Sequence, residues 1–277
     1  MKTLADLIEY RFGLKTEAGR DMPAEGELAN ILSHRSHRRF TSDPVSDDLL
    51  EVLLSAAFSA PAKSDLQQSG IVIVRDAKKR KTIEALMPAM PWISEAPVFM
   101  VFLGDNRRIR RVSELRGKPF GNDHLDSVLN AAVDAGLVLM NFIRAAEAAG
   151  LGCCPISVVR NHIETVSELL ELPEHVFPLC GFCLGWPAAA GHVSLRLPPR
   201  VMVHTDRYDD TDLEAEIDGY DARRSARYRI PDEKQRLVGE YGLAQDYGWS
   251  EDKARQVSKP ERTQLAKYLR DQGFNLE

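Results

Sequence analysis

The chain has 277 residues, a formal net charge of −5, and 44% hydrophobic but only 7% aromatic residues. That composition describes a folded globular protein with an aliphatic core and excludes dominant disorder, and the slight acid excess excludes a general attraction to nucleic acid or membrane surfaces. Any basic site must be local.

In the opening MKTLADLIEYRFG, Leu4, Leu7 and Ile8 share one helical stripe, while Asp6 and Glu9 interrupt the apolar run that a secretory signal needs. Gly19 to Gly26 is polar and loop-like, so residues 1–30 read as an N-terminal helical arm. HRSHRRF (34–40) then gathers cationic or potentially cationic side chains around Ser36, against the acidic average. In SDDLLEVLLSAAFSAP, Ser46 and the early acids open a helix that must stop before Pro61.

GIVIVRD (70–76) and APVFMVFLGD (96–105) predict two buried strands, with a helix over AKKRKTIEAL between them. NDHLDSVLNAAVDAGLVLMNFIRAAEAAG predicts a long helix, capped at Asn122 or Asp123 and stopped at Gly150. It is apolar on nearly every side, which places it in the middle of the fold or in a subunit interface. Asn130, Asp134 and Asn141 keep its most apolar stretch short of the roughly 20 apolar residues of a bilayer span. GLGCCPIS is expected as a loop, NHIETVSELLEL as a helix from near Asn161, HVFPLCGFCLGWP as a strand and VMVH as a short strand. DLEAEIDGYDARRSARY and KPERTQLAKYLRDQGF are expected helices. The irregular alternation predicts an α+β fold or a mixed sheet.

The pair Cys180-Gly-Phe-Cys183 with Cys153-Cys154 invites a metal or redox centre. Residues 179–184 nevertheless read as a strand, in which positions three apart face opposite sides, so reduced core thiols and no metal site are the expectation. His124, His162, His175, His192 and His204 show no ligand spacing.

HRSHRRF before the DPVSDDLLE helix, then SAPAKSDLQQSGIVIV, AAEAAGLGCCPISVVRN, LCGFCLGWPAA and RLPPRVMVH, resemble in order and spacing the FMN-dependent nitroreductase and flavin reductase superfamily over residues 31–206. WSEDKARQVSKPERTQLAKYLRDQGF resembles the C-terminal helices of its oxygen-insensitive, NADPH-preferring branch. The resemblance implies an α+β nitroreductase-like fold, a central mixed, mostly antiparallel sheet flanked by helices. Residues 31–206 would form the FMN-binding core and 207–277 a helical C-terminal extension of the same domain. It further implies a homodimer whose C-terminal segments wrap the partner, with FMN as cofactor and NADPH or NADH as co-substrate. Ping-pong hydride transfer would serve a small-molecule acceptor: a nitroaromatic, a quinone or a flavin. A cytoplasmic setting without nucleic-acid or membrane partners is expected. The competing function is a non-catalytic flavin-binding protein that kept the fold, which pyridine nucleotide consumption would distinguish. Oxidative chemistry on a bound flavin and reductive dehalogenation stay open within the fold.

By the same resemblance, His34, Arg35 and Ser36 face the phosphate and ribityl chain, and Arg38 lies near the flavin N1 and O2 edge, where negative charge gathers on reduction. Arg196 is the second phosphate cation, and Ser194 stands where the branch tends to carry a lysine. Ala62, with Ala60, lets the backbone approach the ring, while Asp65 and Gln67 offer polar atoms to its edge. An ionised Asp65 only accepts, so it suits the ring N3–H. Pro155, Ile156, Ser157 and Val158 form the other wall, with backbone N–H groups toward N5; Ser157 and Val158 replace frequent glycines and imply a narrower pocket. Arg223, Arg224 and Arg227 are candidates for the extra phosphate of NADPH. No general base is expected, because hydride transfer between stacked rings depends on distance and orientation. A competing reading leaves Arg38 and Arg39 balancing Asp43, Asp47 and Asp48 on the surface, and SAPAKSDLQQS (59–69) as a polar turn.

Overall fold

The computed structural model describes residues 1–277. In chain order its helices are α1 (Leu4–Phe12), α2 (Gly26–Ser33), α3 (Asp47–Phe58), α4 (Ala77–Ala85), α5 (Trp92–Glu95), α6 (Arg107–Leu115), α7 (Leu125–Ala148), α8 (Ile163–Leu169), α9 (Leu213–Arg227), α10 (Val238–Tyr241), α11 (Trp249–Val257) and α12 (Leu265–Asp271). The strands are β1 (Ser69–Ile73), β2 (Val98–Asp105), β3 (Gly152–Ile156) and β4 (Val176–Gly185). The chain divides into a smaller unit, Met1–His34 with His192–Glu261, and a larger one, Arg35–Gly191 with Arg262–Glu277.

In the larger unit the strands form one antiparallel sheet in the order β1-β2-β4-β3. β2 is apolar from Val98 to Leu103 because both of its faces are covered there, and its side chains divide with the two-residue period of a strand. Met100 and Phe102 join Leu50, Leu53, Phe142, Phe182 and Leu184 on one face. Phe99, Val101 and Leu103 join Ile83, Ile93, Cys154 and Cys183 on the other. Phe102, Phe142 and Phe182 meet with ring centroids 5.3 to 5.7 Å apart, the tilted and edge-on arrangements that aromatic quadrupoles favour. β4 skips Leu179 where Phe102 pairs Cys180 and Leu103 pairs Pro178, and Arg160 donates to the Leu179 carbonyl thus released.

Ser46 caps α3 as its sequence predicts, accepting from Leu49 N at 3.2 Å. α7 packs against α3 and the sheet. By length and composition alone it is long and apolar enough to cross a membrane. Its buried face includes Ala131, Asp134, Ala135, Val138, Phe142 and Ile143, whereas Leu125, Leu129, Val133, Leu137 and Met140 are exposed. The expected cap at Asn122 or Asp123 is not used: the helix starts after His124, Asp123 pairs with Arg110, and Leu125 N donates to Glu277 O. The chain end is held in this unit by Tyr268, Leu269 and Phe274, which pack with Ile163 and Phe177.

In the smaller unit Thr3 and Asp6 form a capping box on α1, and Leu4 and Leu7 pack with Ala29 of α2. Asp221 of α9 caps α11, accepting from Trp249 N at 2.7 Å and Ser250 N at 3.1 Å.

Two local expectations are corrected. GLGCCPIS is not a loop, because residues 152–156 pair with β4 from Gly152↔Gly185 to Ile156↔Gly181. VMVH is not a strand: Pro199–Val201 form a 3-10 turn, and Met202 and Val203 are exposed with no strand to pair.

Candidate functional site

α2 ends at Ser33, and His34, with φ −50° and ψ 138°, turns the chain out of the helix. Beyond it, in the larger unit, Ser36 forms a parallel bridge with Cys153, and His37 N donates to Cys153 O at 2.8 Å. The close approach explains Gly152, where an added Cβ would stand 2.8 Å from the His37 side chain. Arg35 Nη1 reaches Ala190 O at 3.1 Å. Arg38 is exposed, and its guanidinium lies 5.7 Å from the centroid of the Trp92 ring. The same cation opposes a rise in the Cys154 pKa that comes chiefly from burial.

Ala62 to Gln68 form a strained loop. Ser64, Asp65 and Gln67 have φ of 49°, 57° and 54°, each non-glycine residue in this region costing on the order of 1 kcal/mol. Both ends of the loop are tied to one carboxylate: Asp134 of α7, 1% exposed, accepts from Lys63 N and Gln68 N, each at 2.9 Å. Arg108 of α6 adds bonds to Gln67 O at 2.6 Å and Ser69 O at 3.2 Å. Within the loop Gln67 Nε2 donates to Asp65 Oδ1 at 3.1 Å. A backbone held against its preferences by a buried acid is a mark of functional sites.

β3 carries Pro155 and Ile156 in register with Phe182 and Gly181, and the Ile156 side chain belongs to the core. Ser157 then opens a 3-10 helix ending at His162, and the N–H groups that open such a turn have no partner inside it. Arg262, arriving from the chain end, donates to Asn161 Oδ1 at 2.8 Å and to Ser157 Oγ at 3.4 Å. Burial, followed by the neighbouring Arg262 cation, holds Arg160 below its ordinary pKa.

The smaller unit holds His34 and Arg196. Arg196 Nη1 donates to Ser194 Oγ at 2.6 Å, so the serine orients the guanidinium. Leu195 O accepts from Tyr220 OH at 3.0 Å. Arg11 of α1 joins the two: it donates to Leu32 O, His34 O and Ser194 O, while its own carbonyl accepts from Arg196 N at 3.0 Å. Arg227 donates to Tyr10 O and lies over the Tyr10 ring, and Arg223 Nε and Nη2 are buried donors without partners.

The predicted residues therefore fall into three sets. His34 and Arg196 are joined through Arg11; Arg35, Ser36 and Arg38 run beside β3, which leads to Pro155–Val158; Ala62, Asp65 and Gln67 form a separate cluster pinned by α7 and α6. Sequence reasoning missed Arg11, Arg108, Asp134 and Arg262. Only Asp134 carried a signal, an acid inside an apolar helix.

All four cysteines are free and buried. Burial raises every thiol, Cys180 to about 11, which leaves them protonated and unreactive at neutral pH.

The Nitroreductase family model matches residues 31–186, and the model of the Nitroreductase family, C-terminal domain, matches residues 194–277. The chain is 34% identical over 253 residues to an FMN reductase [NAD(P)H] of Bacillus subtilis, covering 90% of this chain and 98% of that protein. It is 34% identical over 245 residues to an oxygen-insensitive NADPH nitroreductase of Salmonella typhimurium, covering 88% and 96%. Among solved structures, NfrA2 of B. megaterium superposes with a TM-score of 0.81 at 33% identity, covering 91% and 100%. The NADPH:FMN oxidoreductase from Vibrio harveyi complexed with NAD+ gives a TM-score of 0.77 at 31% identity, covering 89% and 97%.

Proposed function

The chain belongs to the nitroreductase family and is an NAD(P)H-dependent FMN oxidoreductase, and we propose that each of the three sets of residues described above, taken in its own unit, carries groups suited to FMN and to tuning its chemistry. Their donors fit the group. In the smaller unit, His34 and Arg196, the latter steadied by Ser194 Oγ, suit a phosphate dianion. In the larger unit, Arg35 and Ser36 offer a guanidinium and a hydroxyl to the phosphate and ribityl chain. Asp65 already accepts from Gln67 through Oδ1, which leaves Oδ2 for an imide N–H. Ala62 and Gln67 complete that edge, and the chain from Pro155 and Ile156 leads to the N–H donors of Ser157 and Val158.

When bound, FMN would supply the two-electron chemistry, the exchange of a hydride between a nicotinamide and an acceptor. The protein's contribution is orientation and fixed charge. Arg38 supplies a cation toward the edge that becomes negative, and the loop pinned by Asp134 holds its polar atoms in place before the cofactor arrives. The pinned loop is the observation that carries this assignment: three left-handed non-glycine residues, held by a buried carboxylate, have no role in the core.

The names of the relatives support flavins and nitro compounds as acceptors; quinones are proposed as a third class on the family resemblance alone. A homodimer is supported by the exposed apolar stripe of α7. Substituting Arg38→Gln tests the assigned charge. FMN should stay bound while anaerobic reduction by NADPH slows on the order of tenfold or more. An unchanged rate would remove Arg38 from the site.

A further inference from the structure

Asn106 and Gln68 carry a relay of amide bonds whose polarity is fixed at its outer end. Arg110 of α6 has only N–H groups, so its Nε, 2.9 Å from Asn106 Oδ1, requires the oxygen of that amide. Asn106 Nδ2 then donates to Gln68 Oε1 at 2.7 Å, and Gln68 is left with Nε2, a donor. Asn106 and Gln68 are 0% and 2% exposed, and Gln68 Nε2 meets no acceptor in the protein. Ser127, in the first turn of α7 and 3% exposed, has an equally unpartnered Oγ. A buried polar group without a partner destabilises the fold, so two such groups on residues that line one cavity point to an occupant.

That cavity, of about 260 Å³, lies wholly within the larger unit, and Leu66, Ile109 and Phe120 give it apolar walls. An apolar cavity of about 150 Å³ holds benzene and drug-sized ligands fill about 300 Å³ or more, so this one suits a single ring with a substituent. The lining names the substituent. Gln68 Nε2 can only donate and the Ser127 hydroxyl can donate, so the substituent must accept. No lining side chain is acidic, and Lys63, which is exposed, supplies the only charge among them. The first turn of the 24-residue α7 adds the positive end of its dipole. The carboxylates that touch lining residues are already engaged, Asp134 by Lys63 N and Gln68 N, and Asp126 by Asn130 Nδ2 at 2.7 Å.

We propose that this cavity binds a single-ring aromatic carboxylate, with the ring against Leu66, Ile109 and Phe120 and the carboxylate oxygens accepting from Gln68 Nε2 and Ser127 Oγ. None of its lining side chains is among those assigned to FMN, so the two readings stand or fall separately.

Benzoate, with benzamide as its neutral counterpart, is titrated calorimetrically into the full-length protein with and without FMN, and the flavin spectrum is followed in parallel. Benzoate should bind saturably in both states, leave the flavin spectrum unchanged and bind about tenfold or more tighter than benzamide. Ser127→Ala and Gln68→Met should each raise the benzoate Kd about tenfold, the scale of a hydrogen bond to a charged group. Ser127→Ala should also melt at or above the wild-type temperature, because it removes a hydroxyl without a partner in the ligand-free fold, whereas loss of a purely structural serine would lower it. No saturable binding would mean that water alone occupies the cavity, and benzamide binding as tightly as benzoate would refute the carboxylate. Binding that ignores both variants, or that shifts the flavin spectrum, would place benzoate elsewhere. Each of these results overturns the proposal. Should Gln68→Met fail to fold for loss of the Asn106 bond, Ser127→Ala decides alone.

Discussion

Asp134 illustrates how one buried side chain can hold a site open without belonging to it. Its two oxygens are the acceptors for Lys63 N and Gln68 N, at the two ends of a loop whose middle is strained. Asp134→Ala leaves both donors without that acceptor, each orphaned group costing about 1–3 kcal/mol. The melting temperature should fall by several degrees and FMN affinity should fall with it, while Asp134→Asn, which keeps one acceptor oxygen, should lose less. Wild-type melting and FMN affinity in Asp134→Ala would mean that other bonds hold the loop. At this scale the sequence was partly legible. Asp65 and Gln67 stand out as polar residues in a turn, but their mutual bond and positive φ depend on a carboxylate far along the chain. Arg11 was illegible for the same reason, since the carbonyls of Leu32, His34 and Ser194 that it meets lie 21, 23 and 183 positions away.

Among the elements, strands and helices whose patterns are complete within themselves could be read from the sequence. β2 shows its continuous apolar run, and α3 its serine cap. β3 could not be read, because two cysteines and a proline carry little strand preference and only the pairing with β4 makes them one. VMVH failed in the opposite sense: its residues favour a strand, but no edge receives them. α7 was read as apolar on most sides, and one of its sides has no partner within the chain. Leu125, Leu129, Val133, Leu137 and Met140 recur at helical spacing and are exposed, which suits a second copy of the same helix. The proposed dimer predicts that the wild type sediments as a dimer and that Val133→Asp, at 49% exposure, folds normally yet sediments as a monomer. Unchanged sedimentation would move the interface elsewhere.

At the scale of the whole molecule, the ordered set of motifs carried the family although no single motif did. The α+β architecture and antiparallel sheet follow from local periodicity together with that order. What the sequence did not reveal is how the site is supported. Charged side chains on the arm, α6 and α7 hold main-chain segments rather than ligands, and main-chain hydrogen bonds leave no residue pattern. Cofactor binding and reduction are accordingly proposed as two properties of these supported segments. They are tested together by incubating the purified protein with FMN, removing unbound ligand, recording the visible spectrum and adding NADPH anaerobically in the same cuvette. The account predicts a retained flavin spectrum that bleaches with NADPH. A retained flavin that bleaches with neither NADPH nor NADH, or no retained flavin at all, would contradict it.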